Sequence, residues 1–311
     1  MGTVVNTTFE SVRFRHRYTG KLETERIYGE NWLRWAYQTR AGRLSLWALA
    51  TRPWFSRWYG WRMDRPASRD RVQPFIEQFG LDPGEFADPP ESFRSFNEFF
   101  HRRLKPGCRP VCGDPGVVVF PADGRHWGWP VMGVDDTFYV KGERLDWAQC
   151  LGNAERRSRY QGGTAVFSRL CPVDYHRFHF PVEGTAGAPE RVEGRLASVN
   201  PVALRMSLAA LWRNRRWITE ISSPTAGRVL MIEIGATNVG SIQHTYRPGQ
   251  PFEKGAEKGY FRFGGSAVLT VFEPGRVRLA EDLVAAGQEG WELYAHVGDR
   301  LGDLTRPGVL L

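Results

Sequence analysis

The residues of this chain best equipped for chemistry fall in three short stretches. The most informative reads Phe261-Arg262-Phe263-Gly264-Gly265-Ser266-Ala267-Val268-Leu269. Its two glycines permit backbone conformations barred to other residues and leave the Gly265 carbonyl unshielded, so the Ser266 hydroxyl can attack the carbonyl immediately before it. A plain Gly-Gly turn between strands has the same spelling. A hydrolase nucleophile elbow does not, because it needs glycine two residues after the serine and Val268 stands there. The second stretch is Asp174-Tyr175-His176-Arg177-Phe178-His179. Histidines three apart cannot share a face of an extended strand, so His176 and His179 are expected to do different jobs, catalytic or structural. The third is Pro121-Ala122-Asp123-Gly124 after an apolar run, where the Asp123 carboxylate either projects into a cleft at a strand end or caps its own turn.

Those residues need elements to hold them. From about 22 to 105 the sequence reads as helices over 23–49, 68–79 and 95–104, broken at Pro53, Pro66 and Asp88-Pro89-Pro90. Beyond Pro106 the texture changes to short β-rich runs over 117–120, 137–140, 164–168, 229–234 and 267–272, with one helix over 201–213. There is no internal repeat and no regular strand-helix alternation, which argues against a doubly wound parallel sheet. The expected fold is α+β: an N-terminal helical module over 1–105 and a β-rich catalytic domain over 106–311.

Composition narrows the function classes. The chain has 311 residues, 41% of them apolar, and 42 Lys plus Arg against 34 Asp plus Glu give a net charge of +8. That balance favours an anionic partner, lipid or nucleic acid. Trp32, Trp35, Trp47, Trp54, Trp58 and Trp61 are interleaved with arginines, and 31–79 carries nine arginines against three acidic residues. Indole at an apolar boundary with guanidinium on phosphate suits a membrane surface; a packed core with a solvated basic face would look similar. Nucleic acid is disfavoured because no recognised binding motif accompanies the charge. No apolar run approaches the roughly 20 residues of a membrane-spanning helix, and the first residues lack the apolar stretch of a signal peptide. Cys108, Cys112, Cys150 and Cys171 have no CxxC spacing and read as reduced structural thiols. GxGxxG, Walker and HExxH motifs are absent, so nucleotide and metal chemistry are not expected.

Six blocks in one order carry a resemblance: Ser95-Phe96-Asn97-Glu98-Phe99-Phe100 with Arg103-Leu104-Lys105-Pro106-Gly107; Pro121 to Gly124; Asp174 to His179; Ser198-Val199-Asn200-Pro201; Gly235-Ala236-Thr237-Asn238-Val239-Gly240-Ser241-Ile242; and Gly264-Gly265-Ser266. Together they resemble the phosphatidylserine decarboxylase family from about Tyr28 onward. Two positions depart from its pattern: Ala267 stands where Thr or Ser is usual, and Asn214-Arg215-Arg216 where Asn-Glu-Arg is common. The resemblance implies a processing triad of Asp123, His179 and Ser266. Ser266 would attack the Gly265 carbonyl, and elimination with hydrolysis would leave a pyruvoyl group, splitting the chain between 265 and 266 into a large piece and a 46-residue small one. The pyruvoyl group would be the sole cofactor, an electron sink for decarboxylation, with His176 donating a proton and positioning substrate and 235–242 lining the pocket. The implied substrate is phosphatidylserine in an anionic membrane, met peripherally at the cytoplasmic face, with a homo-oligomer left open. A decarboxylase of a soluble amino acid and an uncleaved peripheral lipid-binding protein are the alternatives.

Overall fold

Runs of β-branched and aromatic residues separated by glycine become strands in the computed structural model, which describes residues 12–25, 39, 53–133, 146–194, 213–235, 242–263 and 266–305. In chain order these are β1 (Arg13–His16), β2 (Leu22–Thr24), β3 (Val117–Val119), β4 (Gly124–Trp129), β5 (Thr164–Leu170), β6 (Arg177–His179), β7 (Gly184–Ala186), β8 (Glu190–Val192) and β9 (Arg216–Ser223). They continue with β10 (Gly227–Gly235), β11 (Ile242–His244), β12 (Pro251–Phe252), β13 (Glu257–Phe261), β14 (Ser266–Phe272), β15 (Val277–Leu279), β16 (Glu292–Ala295) and β17 (Arg300–Leu304).

Eleven of these strands form one sheet in the order β12-β7-β9-β10-β14-β5-β4-β16-β1-β2, with β8 also on β9. Only the β1–β16 pair among them is parallel. Two three-stranded sheets, β11-β13-β6 and β15-β17-β3, complete the β structure among the described residues. Strand β14 lies near the middle and is buried along its whole length, which is why its sequence is a run of apolar and β-branched residues after Ser266 rather than an apolar/polar alternation. Its side chains nevertheless alternate between two cores. Ala267, Leu269 and Val271 pack with Trp127, Phe167 and Ile232 on one face. Val268 and Phe272 pack on the other with Phe178, Phe180 and Phe261, which come from the segment around β6 and from β13. Ser266 shares the parity of Val268, so it points toward the side carrying the histidine segment.

Among the described residues helices are few and short: α1 (Pro53–Asp64), α2 (Val72–Phe79), α3 (Phe96–Phe100), α4 (Trp147–Leu151), α5 (Ala154–Tyr160) and α6 (Glu281–Gln288). Proline at 53 is the first residue of α1, where the opening helical turn has no use for the N–H it lacks. The helix expected over 68–79 splits at residue 72 into a 3-10 turn and α2. The one expected over 95–104 has its predicted start, with Ser95 capping Glu98, but stops at Phe100, and Leu104 bridges to Phe86 instead. The helix expected to begin at 23 is corrected at its start: Leu22–Thr24 is β2, and the β1–β2 hairpin joins the large sheet through β16. Pairing with a strand distant in sequence overrode the local pattern there. Nearly all of the remainder of that segment, the strand expected over 137–140 and nearly all of the helix expected over 201–213 lie outside the described residues. The architecture is thus mixed α and β, dominated by sheet.

Candidate active site

Ser266 is the first residue of β14, in register with Gly235 of β10 on one side and Leu170 of β5 on the other. It is fully buried, and its hydroxyl has no hydrogen-bond partner among the described residues. A buried hydroxyl forgoes water at a cost of about 1–3 kcal/mol, so the Ser266 Oγ, without a partner among the described residues, is a candidate for chemistry at the head of a central strand. The opposing Gly235 carbonyl is held by the buried Asn214 side-chain amide at 2.8 Å. Gly264 and Gly265 lie outside the described residues, as do 195–212 and 236–241, which hold all of the 198–201 block and all but the two ends of the 235–242 block.

The histidines arrive on the turn from β5 to β6. Asp174 shapes that turn: its carboxylate takes the Arg125 Nη1 donor at 2.7 and 2.5 Å and the Cys171 amide at 2.6 Å. It is therefore committed to structure. His176 is fully buried, with its ring 3.7 Å centroid to centroid from Phe100 of α3. Its Nδ1 lies 3.0 Å from the Asp174 carbonyl, which can only accept, so Nδ1 carries the proton and Nε2 keeps its lone pair. That Nε2 has no partner among the described residues. Burial first, and then the Arg102 charge, hold His176 well below the usual histidine range and therefore neutral. Arg102 is itself buried between the Phe86 and Phe99 rings, at 5.0 and 4.9 Å, and burial brings its pKa down to about 10.

His179 follows the same logic from the other side of the strand. Its Nδ1 donates to the Gly255 carbonyl at 2.8 Å, and its Nε2 receives the Tyr175 hydroxyl at 3.4 Å. Burial lowers its pKa from the ordinary value. Both imidazoles thus present a neutral Nε2 as the basic atom, fixed by a backbone carbonyl on Nδ1.

Asp123 ends the Pro121-Ala122-Asp123 segment, which is tied to β6 by the His179 amide donating to the Pro121 carbonyl at 2.7 Å. Its carboxylate is 1% exposed, with Oδ2 on Arg109 Nε at 2.8 Å and Oδ1 on the Val297 amide at 2.9 Å. Arg109 is braced in turn by Glu85 at 3.1 and 3.2 Å. Burial pushes the Asp123 carboxyl up, against the pull of Arg109. The structure brings Asp123 and His179 into electrostatic reach but does not join them by a hydrogen bond. Gly124 is required next to it, since a Cβ there would lie 2.5 Å from the Arg169 carbonyl on β5.

Several participants had no signal in the sequence. Arg109 sits in a loop and Glu85 at the end of a 3-10 turn, and neither they nor Tyr175 stand in a pattern that points to a role. Arg215, which replaces a common glutamate, pairs with Glu193 at 3.1 Å on the surface. On the face shared with Ser266, Glu233 of β10 meets buried Lys258 of β13 at 2.7 Å and His244 of β11 at 3.1 Å, a satisfied cluster that ties the two sheets together. All four cysteines are free thiols.

The family model described as phosphatidylserine decarboxylase matches residues 96–303. Among curated relatives, a phosphatidylserine decarboxylase proenzyme of Fusobacterium nucleatum is 36% identical over 295 residues, covering 95% of this chain and 98% of that one. One of the same name from Chlamydia trachomatis serovar L2 is 39% identical over 287 residues, covering 92% and 95%. Another, from Desulfitobacterium hafniense, is 36% identical over 291 residues, covering 94% and 98%. With the family match spanning two-thirds of its length and the relatives spanning nearly all of it, the chain belongs to the phosphatidylserine decarboxylase family.

Proposed function

We propose that this enzyme cleaves itself before Ser266 and decarboxylates phosphatidylserine to phosphatidylethanolamine with a pyruvoyl group made from that serine. The observation that carries the reading is the buried, unpartnered Ser266 hydroxyl at the head of β14, directly after the Gly-Gly step. Attack by Oγ on the preceding carbonyl exchanges the peptide for an ester, and a base must take the hydroxyl proton. His179 is assigned that task because its Nε2 is neutral and its Nδ1 is already committed. Asp123 supports it through its charge, which favours the imidazolium that forms. The fit of a pyruvoyl group to the site rests on the same Ser266 Oγ, with the Asn214–Gly235 contact bracing the adjacent backbone. When formed, the group supplies a carbonyl for the substrate amine and an adjacent amide that draws off the electrons released with carbon dioxide. His176, neutral and with a free Nε2, takes the proton of the incoming ammonium and returns it to carbon.

The N-terminal helical module is assigned to a peripheral meeting with the anionic bilayer. Support comes from α1, where Trp58 and Trp61 are 45% and 52% exposed and lie under the Arg62 and Arg65 guanidinium groups at 5.7 and 4.1 Å. Among the described residues no helix is long and apolar enough to cross a membrane. Mass analysis under denaturing conditions tests the central claim. The 35.5 kDa chain should resolve into pieces of about 30 and 5 kDa, and Ser266→Ala should remain whole and inactive. An intact chain that still decarboxylates phosphatidylserine would exclude the reading.

A further inference from the structure

The segment entering the cleavage step is gripped by α3. Phe263 lies two residues beyond β13 and three before Ser266. Its amide donates to Asn97 Oδ1 at 2.9 Å, and its ring packs edge-on against Phe96 and Phe100 at 5.2 and 4.9 Å. Asn97 is 2% exposed, and its other side-chain atom, Nδ2, donates to Asp64 Oδ1 at 2.6 Å. The same Asp64 oxygen accepts from the guanidinium of Arg262, the residue before Phe263. Asp64 closes α1, so one carboxylate links α1, α3 and the entry to the Gly-Gly step. Phe100 also stacks on His176.

We propose that Asn97 and Asp64 are positioning residues for self-cleavage. The inference rests on the self-processing reading above. Ser266, after Gly264-Gly265 in the sequence, is held by the β14 register, and Phe263, before them, by this clamp. Glycines are the residues with most conformational freedom to lose, and attack by Oγ on the adjacent carbonyl needs one narrow arrangement of that step. Fixing both flanks removes much of the search. Asn suits the inner position because it must accept from an amide with one atom and donate to a carboxylate with the other, which neither Asp nor a hydrophobe can do beside Asp64.

The test follows self-cleavage of freshly synthesised full-length chain over time by denaturing electrophoresis. Variants are Asn97→Asp, Asp64→Asn and the double exchange, and thermal unfolding of each is measured in the Ser266→Ala background. Asn97→Asp sets two carboxylates against each other and should slow cleavage about tenfold or more. The double exchange restores an acceptor for Phe263 and a donor–acceptor pair between 97 and 64, and should return the rate to within about threefold of the unmodified chain. Unfolding midpoints should not track these rates. Unchanged cleavage in Asn97→Asp, no recovery in the double exchange, or slowing that merely parallels loss of cooperative unfolding would each overturn the positioning role. An unmodified chain that never cleaves would instead overturn the self-processing reading, and the clamp with it.

Discussion

The proposed division of work between the two histidines starts from what their rings already touch. His179 and His176 each give Nδ1–H to a backbone carbonyl, so only Nε2 can take up a proton in either case. Assigning His179 to the serine and His176 to the substrate predicts separable defects. His179→Ala should leave the chain in one piece, whereas His176→Ala should yield two pieces with decarboxylation reduced about a hundredfold or more, as for loss of a general acid–base. Denaturing electrophoresis and a carbon dioxide assay on the same samples distinguish them, and the opposite pattern would exchange the roles. The pH dependence follows in sign. Burial lowers the His179 pKa, so its base form is complete before the ordinary histidine value is reached from below. Cleavage should fall only in acid, below about pH 6.5, and stay flat above it. A rate still climbing from pH 7 to 8 would point to a different base. Arg109 is the less obvious participant: replacing it with Leu strands a buried carboxylate and should destabilise the fold by about 3–5 kcal/mol in urea titrations.

At the scale of elements, β14 was legible because a buried central strand is spelled as a run of apolar and β-branched residues, and 229–232 of β10 and 164–167 of β5 for the same reason. Their order in the sheet was not, since register depends on partners far away in sequence. Leu22–Thr24 shows the limit: it is a strand because it pairs with β1, which in turn pairs with β16, some 270 residues on. The site divides similarly. Ser266, the histidines and Asp123 stood out by type and spacing, whereas Arg109, Asn97 and Asp64 act through contacts between segments that nothing local connects. Gly124 joins the two levels. It reads as a turn glycine, yet the pressing reason for it is the β5 backbone, so Gly124→Ala should cost about 1–3 kcal/mol in unfolding experiments on the Ser266→Ala background. Helix α1 carries a different expectation. Replacing Trp58 and Trp61 with Ala should reduce sedimentation with phosphatidylserine-containing vesicles, most visibly in high salt where the arginine contribution is screened, while leaving self-cleavage intact. Equal binding to neutral and anionic vesicles would count against the assigned surface.

The whole molecule bears on what cleavage leaves behind. Residues 266–311 would form the small piece, and they do not make a unit of their own. Strand β14 pairs with β10 and β5, and β16 with β4 and β1, all four contributed by the large piece. Strands β15 and β17 pair with each other, but β17 then adds to β3 of the large piece. Ion pairs follow the same seam. Glu292 on β16 meets Arg169 of β5 at 2.5 Å, where Glu25 is the second partner at 2.6 Å, and Asp282 of α6 takes both arms of Arg17 at 2.6 and 2.7 Å. Cutting before Ser266 therefore removes one covalent bond and leaves the ladders intact. The cleaved protein should elute as one species in native gel filtration, with both pieces present in equal amounts, and separate only in denaturant. Glu292→Gln should expose how much the seam contributes. Glu25 remains as the buried counter-ion of Arg169 and Gln can still accept one guanidinium hydrogen bond, so the exchange weakens charge-assisted bonds across the seam and about 1–3 kcal/mol of stability should be lost. Both pieces should then dissociate in a single transition at lower urea concentration, because neither β14 nor β16 has a partner to fold onto once it leaves the sheet. A small piece that washes away in native buffer, or that unfolds cooperatively by itself, would contradict this interleaved assembly.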